Sequence, residues 1–237
     1  MSFLILVRHG QSIWNLEKKF TGWVDVDLTE QGKIEAEKAG NLIKSQNIKI
    51  EHYYSSFQLR ANHTMEIIKK ILNDNNNFVK AWQLNERHYG ALTGLNKIEM
   101  TKKIGEDKVY ELRRSWDKRP DPLSKDSPYH PQNIETYKKI PKEVIPDTES
   151  LKDTYDRVLK YFKEEVQNEL LKKNILITAH GNSIRALCKY LFQLDNEQIS
   201  KLEIPTGNPL IIQFDEKLNI INSKYLDKER AKSLLVY

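Results

Sequence analysis

Phe3-Leu4-Ile5-Leu6-Val7-Arg8-His9-Gly10-Gln11-Ser12 opens on five apolar residues and ends on a cation, an imidazole and a glycine. The apolar run is too brief for a helix and predicts a buried strand. Its carboxyl end would present Arg8 and His9, with Gly10 letting the backbone turn away. Open α/β sheets bind ligands in crevices outside such strand ends. Taken alone, the same residues describe a buried strand closing on two incidental polar groups. What the rest of the chain brings to that rim decides between the two.

Working outward, Trp14 to Asp27 reads as an irregular, aromatic-rich loop holding Phe20-Thr21-Gly22-Trp23. Thr29 is placed to cap a helix to about Lys44, with an inner face of Ile34, Leu42 and Ile43 around Ala39. Tyr53-Tyr54-Ser55 reads as a brief strand, followed by a helix from Leu59 to Leu72 whose candidate core residues are Met65, Ile67, Ile68, Ile71 and Leu72. Asn73 to Asn77 is a polar connector. Phe78 to Leu84 reads as extended and hands over to Asn85-Glu86-Arg87-His88-Tyr89-Gly90.

From about Gly105 to Pro146 the rhythm breaks, with a short helix from Asp107 to Trp116 carrying Arg113-Arg114, then a proline-dense stretch. A loop this long inside a compact unit is usually a functional lid or a disordered linker, and the same α/β alternation on both sides favours a lid. Ser150 opens a long amphipathic helix to about Leu171, and Ile175 to Ala179 is a buried strand stopping at His180-Gly181-Asn182. Ser183 to Leu194 is again helical, Pro209 to Phe214 and Ile220 to Tyr225 form a hairpin, and Asp227 to Leu235 a short last helix. The alternation predicts one α/β domain over residues 1–237, with a mainly parallel central sheet flanked by helices and a lid insertion.

Composition narrows the function classes. With 39% hydrophobic and 30% charged residues over 237 positions, the chain suits a soluble globular protein. Its longest apolar runs are about five residues, far short of a membrane span. The start shows no basic, apolar and small-residue pattern of a leader, and together with a single cysteine this leads us to expect a cytoplasmic protein. Cys188 sits in the apolar phrase Ala186-Leu187-Cys188-Lys189-Tyr190-Leu191 and reads as core. A net charge of +5 and a pI near 9.0 permit binding of anions or nucleic acid. No aromatic-and-basic stripe supports nucleic acid.

Two strands end in the same grammar, Leu6-Val7-Arg8-His9-Gly10 and Ile177-Thr178-Ala179-His180-Gly181. If they run parallel, both histidines share one rim. Arg60, early in its helix, and Glu86-Arg87 beyond the third strand join them. The histidines lack metal-ligand spacing and arginines repel cations, so no metal is expected. Arginines around a neutral imidazole suit phosphate, whose oxygens match the guanidinium fork. An imidazole so placed can attack phosphorus and split one transfer into two, and Glu86 is the carboxyl suited to protonate the leaving oxygen.

These residues carry a family resemblance. Leu6-Val7-Arg8-His9-Gly10, Trp14-Asn15, Phe20-Thr21-Gly22-Trp23, Asp25-Val26-Asp27-Leu28 and Leu84-Asn85-Glu86-Arg87-His88-Tyr89-Gly90-Ala91-Leu92 resemble the cofactor-dependent phosphoglycerate mutases of the histidine phosphatase superfamily. Gly94-Leu95-Asn96-Lys97, Arg113-Arg114, Ala179-His180-Gly181-Asn182-Ser183 and Ile204-Pro205-Thr206-Gly207 do so too, and the resemblance spans nearly the whole chain. It implies that His9 is the phosphorylated nucleophile, Glu86 the proton donor and acceptor, and Arg8, Arg60 and His180 the holders of the phosphoryl group. Gly10, Gln11, Ser12, Asn15, Thr21, Gly22, Arg87, His88, Tyr89, Lys97, Arg113, Arg114, Gly181 and Asn182 would serve the substrate. On its own His88 reads as structural, like His52, His63 and His130. The resemblance further implies 2,3-bisphosphoglycerate as primer, a small phosphorylated substrate and a homo-oligomer, dimer or tetramer.

Two departures from the family pattern stand out. Gln11 occupies a place where many relatives have glutamate. The tail from about residue 226 ends at Leu234-Leu235-Val236-Tyr237, without the lysine- and glycine-rich extension of many mutases. The competing readings are a phosphatase of the same superfamily, a bisphosphoglycerate mutase (whose members tend to carry glycine where Ser12 stands) and a non-catalytic binder of anions.

Overall fold

The opening run is one of the two central strands of a six-stranded sheet. In a computed structural model, which describes residues 1–231, β1 (Ser2–Arg8), β2 (His52–Ser55), β3 (Val79–Lys80), β4 (Ile175–Ala179), β5 (Leu210–Phe214) and β6 (Ile220–Tyr225) form one sheet in the order β3-β2-β4-β1-β5-β6. The first four of these run parallel, and β5 and β6 are antiparallel additions at one edge. Parallel strands covered on both faces read as unbroken apolar runs. Accordingly every residue of β4 is buried.

Alternate side chains of β1 and β4 feed two cores. Ile5, Val7 and Leu176 pack with Ala39 and Ile43 of α2 (Glu30–Lys44) and Met65 and Ile68 of α3 (Leu59–Leu72). Leu4, Leu6, Ile175 and Ile177 pack on the other face with Leu151 and Val158 of α6 (Leu151–Tyr161) and Ile184 and Leu187 of α8 (Gly181–Leu191). Cys188 lies in this second core, as its apolar neighbours predict.

Helix ends fall where their chemistry puts them. Thr29 accepts from Gly32 N at 3.0 Å to start α2, and Ser150 and Asp153 form a capping box at the start of α6. The long helix predicted from Ser150 runs on through a π-helical turn, Phe162–Val166, into α7 (Gln167–Leu170). Past α8, Gln193 turns with φ +52° and Asp195 caps α9 (Asn196–Lys201), an element absent from the sequence reading.

Three expectations need correction. Ile34 is 56% exposed, because α2 buries Gly32, Ala36, Ala39, Gly40 and Ile43. Small residues on that stripe let α2 and α3 approach so closely that a Cβ at Gly40 would sit 2.8 Å from Ile71 Cδ1. Phe78 to Leu84 is extended only over Val79–Lys80, since Trp82–Leu84 closes into a 3₁₀ turn that aims the following phrase at the sheet's rim. The expected helix from Asp227 to Leu235 is a turn at Lys228 to Arg230, and its remainder from residue 232 lies outside the described residues.

The loop after β1 holds α1 (Ile13–Leu16), capped by Ser12, and the stretch after β3 includes α4 (Lys97–Ile104) and α5 (Glu106–Arg114). The proline-dense segment beyond α5 is anchored to the body. Tyr137 donates to Trp23 O and packs on that indole with Ile140, and Ala91 N donates to Asp121 O at 2.7 Å.

Where β1 ends, its backbone crosses α2 almost in contact. A Cβ on Gly10 would lie 2.0 Å from Gly32 O, and one on Gly32 would lie 2.1 Å from Gln11 O. Both partners are backbone and cannot yield locally. Gly32→Ala should therefore lower unfolding free energy by about 3 kcal/mol or more, the upper end for overpacking. Urea unfolding checks this, and a loss below about 1 kcal/mol would show that the crossing is pliable.

Candidate active site

His9 follows β1 and keeps its register, its N–H donating to Ala179 O at 3.0 Å. The imidazole Nδ1 lies 2.7 Å from Gly10 O. A carbonyl only accepts, so Nδ1 carries the proton and Nε2 keeps its lone pair. Burial, then the Arg60 and Arg8 guanidinium groups, hold the ring's pKa well below the ordinary 6.5, so His9 is neutral at physiological pH. It is a ring with an available lone pair, already turned by its own backbone.

His180 follows β4 in the same way, its ring centroid 5.0 Å from that of His9. Burial, then Arg60, His9 and Arg8, keep it neutral as well. Its Nε2 lies 2.8 Å from Ser56 Oγ, which already accepts from Gln58 N at 3.1 Å. We assign the Ser56 hydroxyl as donor to Nε2, which leaves Nδ1–H as a buried donor without a partner among the described residues.

Two arginines flank the pair. Arg60, fully buried in the first turn of α3, donates to Val24 O at 2.9 Å and Gly22 O at 3.0 Å. Arg8 donates to Ile204 O at 2.8 Å. Opposite them stands Glu86, 9% exposed. Its Oε1 accepts from Arg87 N at 2.8 Å, Asn182 Nδ2 at 2.9 Å and Asn182 N at 3.2 Å. With that oxygen taken, Oε2 faces the cavity, 3.8 Å from where a Gly181 Cβ would stand and across it from the Arg8 guanidinium. Arg157 holds the carboxylate's backbone, donating to Asn85 O and Glu86 O at 3.0 Å while paired with Glu149 at 2.7 Å.

Arg8, His9, Arg60, Glu86, Gly181 and Asn182 form the floor of one cavity, and Asn15, Thr21, Tyr89, Lys97, Arg113 and Arg114 complete it with residues from four other segments. The sequence reading placed all twelve at the site. Burial pushes the Tyr89 hydroxyl's pKa up, but Arg87, Lys97 and Arg113 pull it below its ordinary value. His180, fully buried, packs against His9 and is not among the residues lining the cavity.

The other predicted residues stand behind the wall. Gly10 is at the α2 crossing, Gln11 Oε1 accepts from Thr29 at 2.9 Å, Ser12 caps α1 and Gly22 O serves Arg60. Arg87 is fully buried, donating to Leu112 O at 2.7 Å with its guanidinium 4.5 Å from the Tyr89 ring centroid. His88 does not reach the cavity. Its Nδ1 accepts from Gly90 N at 3.0 Å and its ring packs 6.3 Å from His130, as its lone reading as a structural histidine anticipates.

Three wall residues escaped the sequence reading as site residues: Arg185, Glu203 and Ile204. Arg185 was legible in principle, one helical turn beyond Asn182. Ile204 opens one of the phrases that carry the resemblance without being read as a site residue, and Glu203 arrives only through tertiary folding, which pairs Arg114 with Glu203 and seats Arg8 on Ile204 O.

The wall thus carries six cations (Arg8, Arg60, Lys97, Arg113, Arg114, Arg185) against Glu86 and Glu203. Around it Arg8 Nε, Arg87 Nε and Nη1, Arg185 Nε and His180 Nδ1 are buried donors without partners among the described residues. Buried donors without acceptors are costly. A polyanion with several oxygens, such as a phosphate ester, fits this donor set. No group of three or more His, Cys, Asp or Glu among the described residues is arranged to hold a metal ion.

Residues 4–129 and 123–225 match the Histidine phosphatase superfamily (branch 1). The 2,3-bisphosphoglycerate-dependent phosphoglycerate mutase of Pelagibacter ubique is 67% identical, with both chains covered in full. The chain belongs to the phosphoglycerate mutase family of the histidine phosphatase superfamily. The enzyme of the same name from Hydrogenobaculum sp. is 47% identical over 99% of this chain and 96% of its own. Among solved structures, Bacillus stearothermophilus YhfR superposes with a TM-score of 0.69 at 20% identity, covering 93% of this chain and 94% of that one. A mycobacterial glucosyl-3-phosphoglycerate phosphatase does so at 0.67 and 19%, covering 95% and 97%. At such identity these two speak for the fold alone.

This family member buries His9, His88 and His180 with lowered pKa values, and that has a measurable consequence. Burial and then His130 push the His88 pKa from 6.5 down to about 3. Between those values the unfolded chain binds a proton that the folded chain does not. Unfolding free energy should therefore be level above pH 6.5 and fall as pH drops below it, by up to about 1.4 kcal/mol per unit for each such group. His9 and His180 act with the same sign. Urea midpoints between pH 8 and 5 should show the fall, less steeply in His88→Gln. Equal slopes in the two proteins would remove His88 from the account.

Proposed function

We propose that the protein interconverts 3-phosphoglycerate and 2-phosphoglycerate through a phosphorylated His9, as an enzyme of glycolysis and gluconeogenesis. The observation that carries this reading is the neutral His9 ring. Its Nδ1 is spent on Gly10 O, and its Nε2 is left beside Arg8 and Arg60 on the floor of a cationic cavity. Full-length likeness to relatives named 2,3-bisphosphoglycerate-dependent phosphoglycerate mutase supports it.

When bound, 2,3-bisphosphoglycerate supplies the phosphoryl group that primes the enzyme. His9 Nε2 directs its lone pair at phosphorus, forming an N–P bond as the ester P–O bond breaks. The Glu86 carboxyl passes a proton to the departing oxygen as that bond breaks. Arg8, Arg60 and the Nδ1–H of His180 stabilise charge on the phosphoryl oxygens without a metal. In the return step Glu86 takes the proton from the other hydroxyl as that oxygen accepts the phosphoryl group from His9. Lys97, Arg113 and Arg114 hold the second phosphate and Asn15, Thr21, Tyr89 and Asn182 the glycerate skeleton. The helix bearing Arg113 and Arg114 acts as a lid that keeps water from the phosphohistidine. Likeness to the family supports a cytoplasmic homo-oligomer.

A coupled assay of 3-phosphoglycerate conversion, with and without added bisphosphate, tests the reading. Isomerase turnover that rises with trace bisphosphate and survives a chelator is expected. Release of inorganic phosphate in place of isomerisation would make the protein a phosphatase of the same superfamily.

Two variants probe the roles. Glu86→Gln should slow kcat by roughly 10²–10⁴-fold, the usual range for a general acid–base group. A raised KM at unchanged kcat would make Glu86 a positioning group. Replacing Arg113 and Arg114 together by Ala should raise KM and increase the ratio of hydrolysis to isomerisation. An unchanged ratio would take the lid role away from this helix.

A further inference from the structure

We infer that Arg185 is a positioning residue for Glu86, acting through the side-chain amide of Asn182. The inference rests on the reading of Glu86 as proton donor. Arg185 is 3% exposed on α8, one turn beyond Asn182, and its Nη1 donates to Asn182 Oδ1 at 3.0 Å. Its Nη2 donates to Ile199 O at the far end, so the side chain is held from both sides. Asn182 Nδ2 in turn donates to Glu86 Oε1 at 2.9 Å and to Tyr89 Oη at 3.1 Å.

An amide has two orientations that exchange its oxygen and nitrogen. With Asn182 turned over, Oδ1 would face Glu86 Oε1, acceptor against acceptor, and Nδ2 would face the Arg185 guanidinium, donor against donor. A guanidinium has only donors, so it selects one orientation and removes the other. The selected one aims Nδ2 at the oxygen of Glu86 that does not face the cavity. Oε2 is thereby left as the oxygen beside Arg8 and Gly181.

The placement is expensive for the fold. Burial, then Arg114 and Arg87, depress the Arg185 pKa to about 10, and Arg185 Nε has no partner among the described residues. A buried charge is weak evidence for stability, and an apolar residue of similar volume is often as stable. Its distinctive contribution is a fixed donor at Asn182 Oδ1.

The test is a double-mutant cycle on isomerase kinetics with Arg185→Gln, Asn182→Ala and the pair. Arg185→Gln should lower kcat about 10–100-fold with KM changed less than about threefold, as misplacement of a catalytic group does. The pair should be no slower than Asn182→Ala alone within about twofold, because one effect runs through the other. A tenfold rise in KM at retained kcat would overturn the inference in favour of direct phosphate binding. Multiplicative losses would overturn it in favour of an independent role. If Arg185→Gln does not fold, Arg185→Lys alone and with Asn182→Ala carries the same cycle. Wild-type protein without isomerase turnover would refute the proposed reaction, and this role with it, which is distinct from an active wild type with an additive cycle.

Discussion

The parallel pairing of β1 with β4 is the constraint on which the rest depends. It sets Arg8 opposite Ala179, so the next residue of each strand is a histidine, and both leave the sheet at the same rim. The hydrogen bond from His9 N to Ala179 O extends the ladder one step past the strand and locks the two rings together. A slip of one residue would turn His9 to the opposite face and strip the site of the nucleophile we propose. The apolar residues that forbid this slip, Leu4 to Val7 and Ile175 to Ile177, are also the centre of both cores. Packing and the placement of the two histidines are specified by the same residues.

Around that pair the chain gathers positive charge on the floor and wall of one cavity. Such a cluster is self-repelling, and the fold contains it in part by anchoring three of its guanidinium groups on backbone carbonyls, while Arg114 is paired with Glu203. Arg60 rests on Gly22 and Val24, Arg8 on Ile204, Arg87 on Leu112. Carbonyls fix direction without cancelling charge, as carboxylates would. The histidines answer the same field by staying neutral, and only a neutral His9 has a lone pair to give. Glu86 has one oxygen committed to three N–H groups, and the other faces the cavity. The remaining donors without acceptors are matched by the oxygens of a phosphate ester.

Much of this was legible in the sequence, for identifiable reasons. Strands β1 and β4 were read from unbroken apolar runs, and α2, α3 and α6 from Thr29, Leu59 and Ser150 at helix starts. The twelve cavity residues read in the sequence came from three strand ends and from phrases resembling the mutases. What was missed depended on packing between distant segments. The inner stripe of α2 follows small residues, not large ones, so Ile34 was misplaced. Phe78 to Leu84 has strand composition but closes into a 3₁₀ turn at Trp82–Leu84, where Arg157 takes the carbonyls of Gln83 and Asn85. Arg157, Glu149, Ser56 and Gln58, which steady Glu86 and His180, are not marked by any local motif. Their roles exist only once the elements are assembled.

The central claim is that His9, and no other group at this rim, accepts the phosphoryl group. It is tested most directly by mixing the protein with phosphoryl-labelled 2,3-bisphosphoglycerate, quenching in base, and locating the label by peptide mapping. The account predicts a label that survives base, is lost in acid, maps to His9 and disappears in His9→Ala of unchanged circular dichroism. A label on His180 or on an acid-stable residue, or retention of the label in His9→Ala, would contradict it.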